Sequence, residues 1–238
     1  MERLDKVLAN LGYGTRKEVK TLVKCRKVQI DGVIVKDSGM QLDPEKSVIV
    51  ISGEKVNYRK YIYLMMNKPN GVVSATFDNY DETVIDLLDE GYQVFKPFPV
   101  GRLDKDTEGL LIITNDGELN HRLTSPKWHV DKEYFAQINK AVNEGDVEAF
   151  KAGVILDDGY KCLPAQLKVL DSDDNGAEVM VIIQEGKFHQ VKRMFESRNK
   201  EVVYLRRMRF GGLELDKNLN EGEFRELSEE EIKILKSI

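Results

Sequence analysis

The sequence predicts an α+β protein, a mainly antiparallel sheet with flanking helices preceded by a small α+β module. Three observations predict it. From about residue 61 onward, strand-like runs follow one another with few helical patterns between them. Residues 1–58 read instead as two short helices followed by a hairpin and one more strand. Charge also divides the chain. Residues 1–60 carry 13 Lys and Arg against 8 Asp and Glu, a net of +5, which leaves −10 on the rest of a chain whose formal net charge is −5.

In the N-terminal part, Leu4, Val7, Leu8 and Leu11 recur at the spacing of one helix face, and Gly12 is placed to end that helix. Thr15-Arg16-Lys17-Glu18 fits a capping box for a second helix, whose buried side is Val19, Leu22 and Val23. Arg16, Lys17, Lys20, Lys24 and Lys27 fall in one sector beside that stripe. Basic residues sharing a sector nearly free of acids favour RNA over a merely solvated face. Asp31-Gly32 between two β-branched runs predicts a hairpin, and Val48 to Ile51 a further strand. The polar stretch Ser52 to Lys60 reads as a linker.

In the body, Tyr61 to Met66 is strand-like and ends before the turn-like Asn67-Lys68-Pro69-Asn70-Gly71. Leu110 to Thr114 reads as a buried strand. Leu119 and Leu123 mark a short helix that stops before Pro126. Alternation over Tyr134–Ile138 and Val179–Ile183 gives two more strands. Phe188, Val191 and Phe195 mark a helix. The acid-rich tail from Glu214 reads as a solvated surface, with Ser228 as the cap of a last helix.

Several classes are excluded. With 238 residues and 41% hydrophobic content, the chain is long and apolar enough for one large domain or a large and a small one. Cys25 and Cys162 match no zinc or redox spacing, and neither a signal peptide nor a membrane-length apolar run is present, so a cytoplasmic setting is expected. Gly12-Tyr13-Gly14 lacks a third glycine. There is no phosphate-cradling G-x-x-x-x-G-K-[ST] and no G-x-S-x-G elbow, and His121, His129 and His189 have no ligands at metal spacing.

Three pieces remain: Gly101-Arg102-Leu103-Asp104, Lys132-Glu133-Tyr134, and Glu185 to Met194. Each alone has an ordinary structural explanation. Together they resemble the pseudouridine synthases, in the branch that modifies ribosomal RNA and carries an N-terminal RNA-binding module. The signature G-R-L-D-x-x-T-x-G-L-L-x-x-T-N-D-G runs without a gap from Gly101 to Gly117, and E-G-K-x-H-Q-V-K-R-M follows in the right order. The basic module is similar to one shared with a small-subunit ribosomal protein and tyrosyl-tRNA synthetases. On this reading the RNA-binding module spans 1–58 and the catalytic domain 61–238.

The resemblance implies a uridine-to-pseudouridine isomerase without cofactor or metal, acting as a monomer on ribosomal RNA. The His189-to-Phe195 form of the second motif leans toward small-subunit (16S) RNA, either naked or in a partly assembled subunit. The rival readings are the same reaction on large-subunit (23S) RNA and a non-catalytic assembly factor. Asp104 takes the catalytic position, Tyr134 that of the ring stacking on the flipped uracil and serving proton transfer from carbon 5, and Lys192 that of the basic partner, often arginine in this superfamily. Asp106 falls outside the catalytic position and is expected to be a loop or N–H-accepting residue. Arg102 would enter the space vacated by the base. Arg3, Arg16, Lys17, Lys20, Lys24, Lys27, Lys187 and Arg193 are the remaining RNA-binding candidates. Helix geometry counted from Phe188 puts Lys192 at about 40°, on the edge of the apolar face, and Arg193 at about 140°, pointing away.

Overall fold

A computed structural model describes residues 1–238. The chain forms two units, one of residues 1–62 and 89–97 and a larger one of 63–88 and 98–238.

The smaller unit packs helices α1 (Leu4–Asn10) and α2 (Arg16–Lys24) on a four-stranded antiparallel sheet. Strands β1 (Glu2–Arg3) and β4 (Gln41–Leu42) pair with each other. The sheet itself is ordered β3 (Val33–Ile34), β2 (Val28–Ile30), β5 (Ile49–Ile51), β6 (Glu54–Lys55). Leu4, Val7, Leu8, Val19 and Val23 close over Val28, Ile30, Ile49 and Ile51 as one core. Thr15 caps α2 through the reciprocal bonds expected of its motif. Asp31 and Gly32 both take positive φ, as a two-residue hairpin turn requires. Ser52 and Gly53 do the same between β5 and β6, so the expected linker is a second hairpin, with Val56 in the core. Its polar composition belongs to the turn and to exposed edge positions. A short helix α3 (Glu90–Gln93) lies in the segment that joins this unit from further along the chain.

The larger unit is built on one sheet. Its order is β11 (Gln166–Asp173), β12 (Gly176–Ile183), β10 (Lys132–Ile138), β13 (Val202–Phe210), β9 (Glu108–Thr114), β7 (Tyr63–Lys68), β15 (Phe224–Glu226). The short β8 (Phe98–Pro99) pairs with β9, and β14 (Leu213–Glu214) with β13. All pairings are antiparallel except β9 with β13. Gly109 makes that parallel approach possible: it has φ +100°, and a Cβ there would stand 2.3 Å from the Arg207 carbonyl oxygen. Helices α4 (Gly117–Thr124), α5 (Glu144–Ala152), α6 (Gln190–Glu196) and α7 (Glu229–Lys236) complete the unit. Leu110, Ile112, Leu119, Leu123, Phe210 and Leu235 share its main core.

Three expectations are corrected here. The strand read as Tyr61–Met66 is β7, which runs on through Asn67 and Lys68, both buried. Backbone carbonyls take up the donors of these side chains: Asn67 Nδ2 donates to Leu219 O at 2.8 Å, and Lys68 Nζ to the carbonyls of Pro69, Lys105 and Thr107. The acid-rich tail is not a solvated surface, because β15 extends the sheet and α7 buries Leu235 completely. The helix over Phe188–Phe195 starts only at Gln190. His189 precedes it at φ +47°, and Phe188 is 75% exposed rather than on the buried face.

Candidate active site

The loop Gly101–Thr107 leads into β9, and its backbone is pinned from several directions. Thr107 N–H donates to Asp104 O at 3.0 Å. Ser74 Oγ accepts from Leu103 N–H at 3.1 Å and lies 2.9 Å from Leu103 O. Lys68, at the end of β7, sends its ammonium under the loop to donate to the carbonyls of Pro69, Lys105 and Thr107 at 2.9, 3.1 and 2.9 Å. Burial pulls the Lys68 pKa down to about 8, against the opposing pull of Asp106, Glu108 and Asp104.

Asp104 is thereby presented at the mouth of a cleft of about 70 Å³ whose walls include Arg102, Thr107, Tyr134, Lys187 and Gln190. Tyr134 comes from β10, where alternation turns its ring into the cleft while Glu133 and Phe135 face a larger groove of about 450 Å³ on the other side. That larger groove is lined by Glu133 but by none of Asp104, Tyr134 and Lys192.

From the far wall, α6 brings Lys192 to 3.8 Å from Asp104 Oδ2, and His189 Nε2 stands 3.6 Å from Oδ1. Lys192 grips Asp106 more tightly, donating to both of its oxygens at 2.6 and 2.7 Å. Burial raises the Asp106 carboxyl pKa, but the Lys192 hydrogen bonds and charge outweigh it and hold the carboxyl below the usual carboxylate range. Asp106 is thus a loop residue, as expected, and its carboxylate is the acid that clamps Lys192.

The loop before α6 is organised by Glu185, which is buried. It accepts from Leu163 N–H at 2.8 Å, from Gln190 Nε2 at 2.9 Å and from the Tyr160 hydroxyl. Gln190 Oε1 in turn accepts from Lys187 N–H at 3.0 Å. This network fixes the path that carries His189 to the cleft and Lys192 to Asp104 and Asp106. The roles of Lys68, Ser74 and Glu185 escape sequence reading because backbone partners of each lie 22 or more residues away, and Gln190 acts through Glu185.

The RNA-binding candidates divide. Arg16, Lys17, Lys20 and Lys24 are exposed along α2; Lys27 is exposed too, but lies beyond the helix after the left-handed Arg26. Arg3 is held by Asp5 at 2.7 and 3.0 Å. Arg193 does not point away into solvent. Its side chain is 15% exposed, because Asp157 and Asp158 of the loop packed against that side of α6 bind it.

Fold and site define an RNA-modifying isomerase. The RNA pseudouridylate synthase family matches residues 62–197 and the S4 domain residues 2–48, and the chain belongs to that synthase family. It is 49% identical to an uncharacterized RNA pseudouridine synthase of Bacillus subtilis (strain 168), covering 98% of both chains. It is 40% identical to ribosomal small subunit pseudouridine synthase A of Vibrio cholerae, covering 97% of both. It is 35% identical to ribosomal large subunit pseudouridine synthase B of B. subtilis, covering all of this chain and 97% of that one. A crystal structure of a pseudouridylate synthase superposes with a TM-score of 0.69 at 36% identity, over 99% of this chain and all of that one.

Proposed function

We propose that this enzyme isomerises a uridine of small-subunit (16S) ribosomal RNA, with Asp104 as the catalytic carboxylate. The observation that carries the reading is the convergence of Asp104 and Tyr134 on one cleft with the Lys192 ammonium 3.8 Å from the carboxylate. The reaction breaks the bond between uracil N1 and the sugar, turns the base, joins its carbon 5 to the same sugar carbon, removes the carbon-5 proton and leaves N1 carrying a proton. Atoms and electrons balance within the nucleotide, so a carboxylate acting as nucleophile or base suffices. The target base must leave its stack, at a cost of a few kcal/mol. Stacking on Tyr134 offsets about 1–3 kcal/mol of that, and Arg102 at the rim is suited to fill the gap. Exposed bases along α2 supply phosphate attraction.

The 16S target is supported by the higher identity to the small-subunit relative than to the large-subunit one and by the His189-to-Phe195 motif form. The large-subunit relative keeps 23S RNA as the second reading. Mapping pseudouridines in both rRNAs of a strain with and without the protein decides between them. Loss of one 16S site supports the proposal; loss of a 23S site replaces it.

A further inference from the structure

Two loops that touch the Asp104 segment expose aromatic rings that no core claims. One is a tongue between Ser74 and Asp81. Its first foot is bonded to Leu103 through Ser74, and its second is tied to Lys105 by the Asp81–Lys105 ion pair at 2.6 Å. Between these feet Phe77 is 74% and Tyr80 95% exposed. The tongue is ordered: Asp78 Oδ1 accepts from Tyr80 and Asp81 N–H at 2.9 and 3.1 Å, and Val73 bridges to Thr83. The other loop carries Phe188, whose ring stacks on His189 at 3.8 Å between centroids, next to Asp104.

We propose that Phe77, Tyr80 and the Phe188–His189 stack form a rim on which unpaired bases flanking the target uridine stack. The proposal rests on Asp104 facing RNA. The rings belong to no buried core, and the attachment of their loops to the Asp104 segment places them beside the path of the neighbouring nucleotides. The tongue itself carries Asp78, Asp81 and Glu82, which repel phosphate. Its affinity is therefore for base faces and not for the backbone. Stacking tolerates any base, so the rim selects unpaired RNA over duplex rather than one sequence over another.

The test measures binding of the full chain, at fixed salt, to a short oligouridylate and to an abasic oligomer of the same length. Wild type should prefer the base-bearing oligomer. Phe77→Ala, Tyr80→Ala and Phe188→Ala should each weaken oligouridylate binding about tenfold and leave abasic binding within about twofold. Phe77→Trp and Tyr80→Phe should retain it. Unchanged melting temperatures are expected because these rings are exposed. Equal losses on both oligomers, or no loss on either, would overturn the proposal, the latter leaving the rings to a protein partner. The readout needs no catalysis, so a failed rRNA assignment is distinguishable from a failed rim.

Discussion

Replacing Lys192 by methionine removes the ammonium that ion-pairs with both Asp104 and Asp106. At 3.8 Å and an effective dielectric near 20, the attraction for Asp104 is about 4 kcal/mol. Asp104 is 28% exposed, so water recovers part of this, and about 2 kcal/mol is a fair net loss. Spread over the chemical step, that is a rate reduction of about 30-fold. Lys192→Arg should stay within about tenfold of wild type, since charge is kept although the planar fork differs in shape. Asp106→Asn should be milder than either, because the ammonium is then free to turn to Asp104. Without Lys192, burial of Asp106 is opposed only by its own backbone N–H and by His189, so its carboxyl pKa should rise, which carbon NMR of that carboxyl can follow. The assay is the single-turnover rate of pseudouridine formation at saturating RNA. A Lys192→Met rate within twofold of wild type, or an Asp106→Asn as damaging as Asp104→Asn, would refute the reasoning.

Other consequences are open to measurement. Lys68 has its pKa lowered from 10.5 to about 8 in the folded chain, so the unfolded chain binds more protons between those values and stability should rise with pH across that window. The gain is at most about 3 kcal/mol, and urea midpoints of wild type and Lys68→Met should show it in the wild type only; parallel pH profiles would contradict it. Glu185→Gln should lower kcat more than RNA affinity, since it loosens the path to His189 and Lys192 without touching RNA; an unchanged kcat would show that the network is dispensable. Lys20→Met and Lys24→Met should each flatten the salt dependence of RNA binding by about one unit of slope, whereas Arg193→Met, whose charge is already taken by Asp157 and Asp158, should leave the slope unchanged. Equal slopes for all three variants would separate α2 from the RNA.

The parts legible in the sequence were those where a local pattern and its structural cause coincide. The Thr15 capping box, the Asp31-Gly32 hairpin and the fully buried β9 are set by neighbours along the chain. The Gly101–Asp104 and Tyr134 pieces were recognisable because their motifs are contiguous. What escaped depends on distant partners. Lys68 looks like a turn residue until the carbonyls of Lys105 and Thr107 are placed above it. The two carboxylates facing Lys192 cannot be ranked by a helical wheel, because the loop before α6 sets the helix start and Glu185 sets the loop. The tail from Glu214 hid Leu227 and Leu235 among acids, and only the free edge of β7 explains why β15 forms.

The account stands most directly on Asp104. The decisive measurement is tritium release from carbon-5-labelled uridine in unmodified 16S RNA by Asp104→Asn under single-turnover conditions, with the dissociation constant measured on the same RNA. Asparagine keeps the size but loses basicity and nucleophilicity, so release should vanish while the dissociation constant stays within about threefold of wild type. Near-normal release by Asp104→Asn, with Asp106→Asn inactive beside it, would move the chemistry to Asp106 and contradict the account.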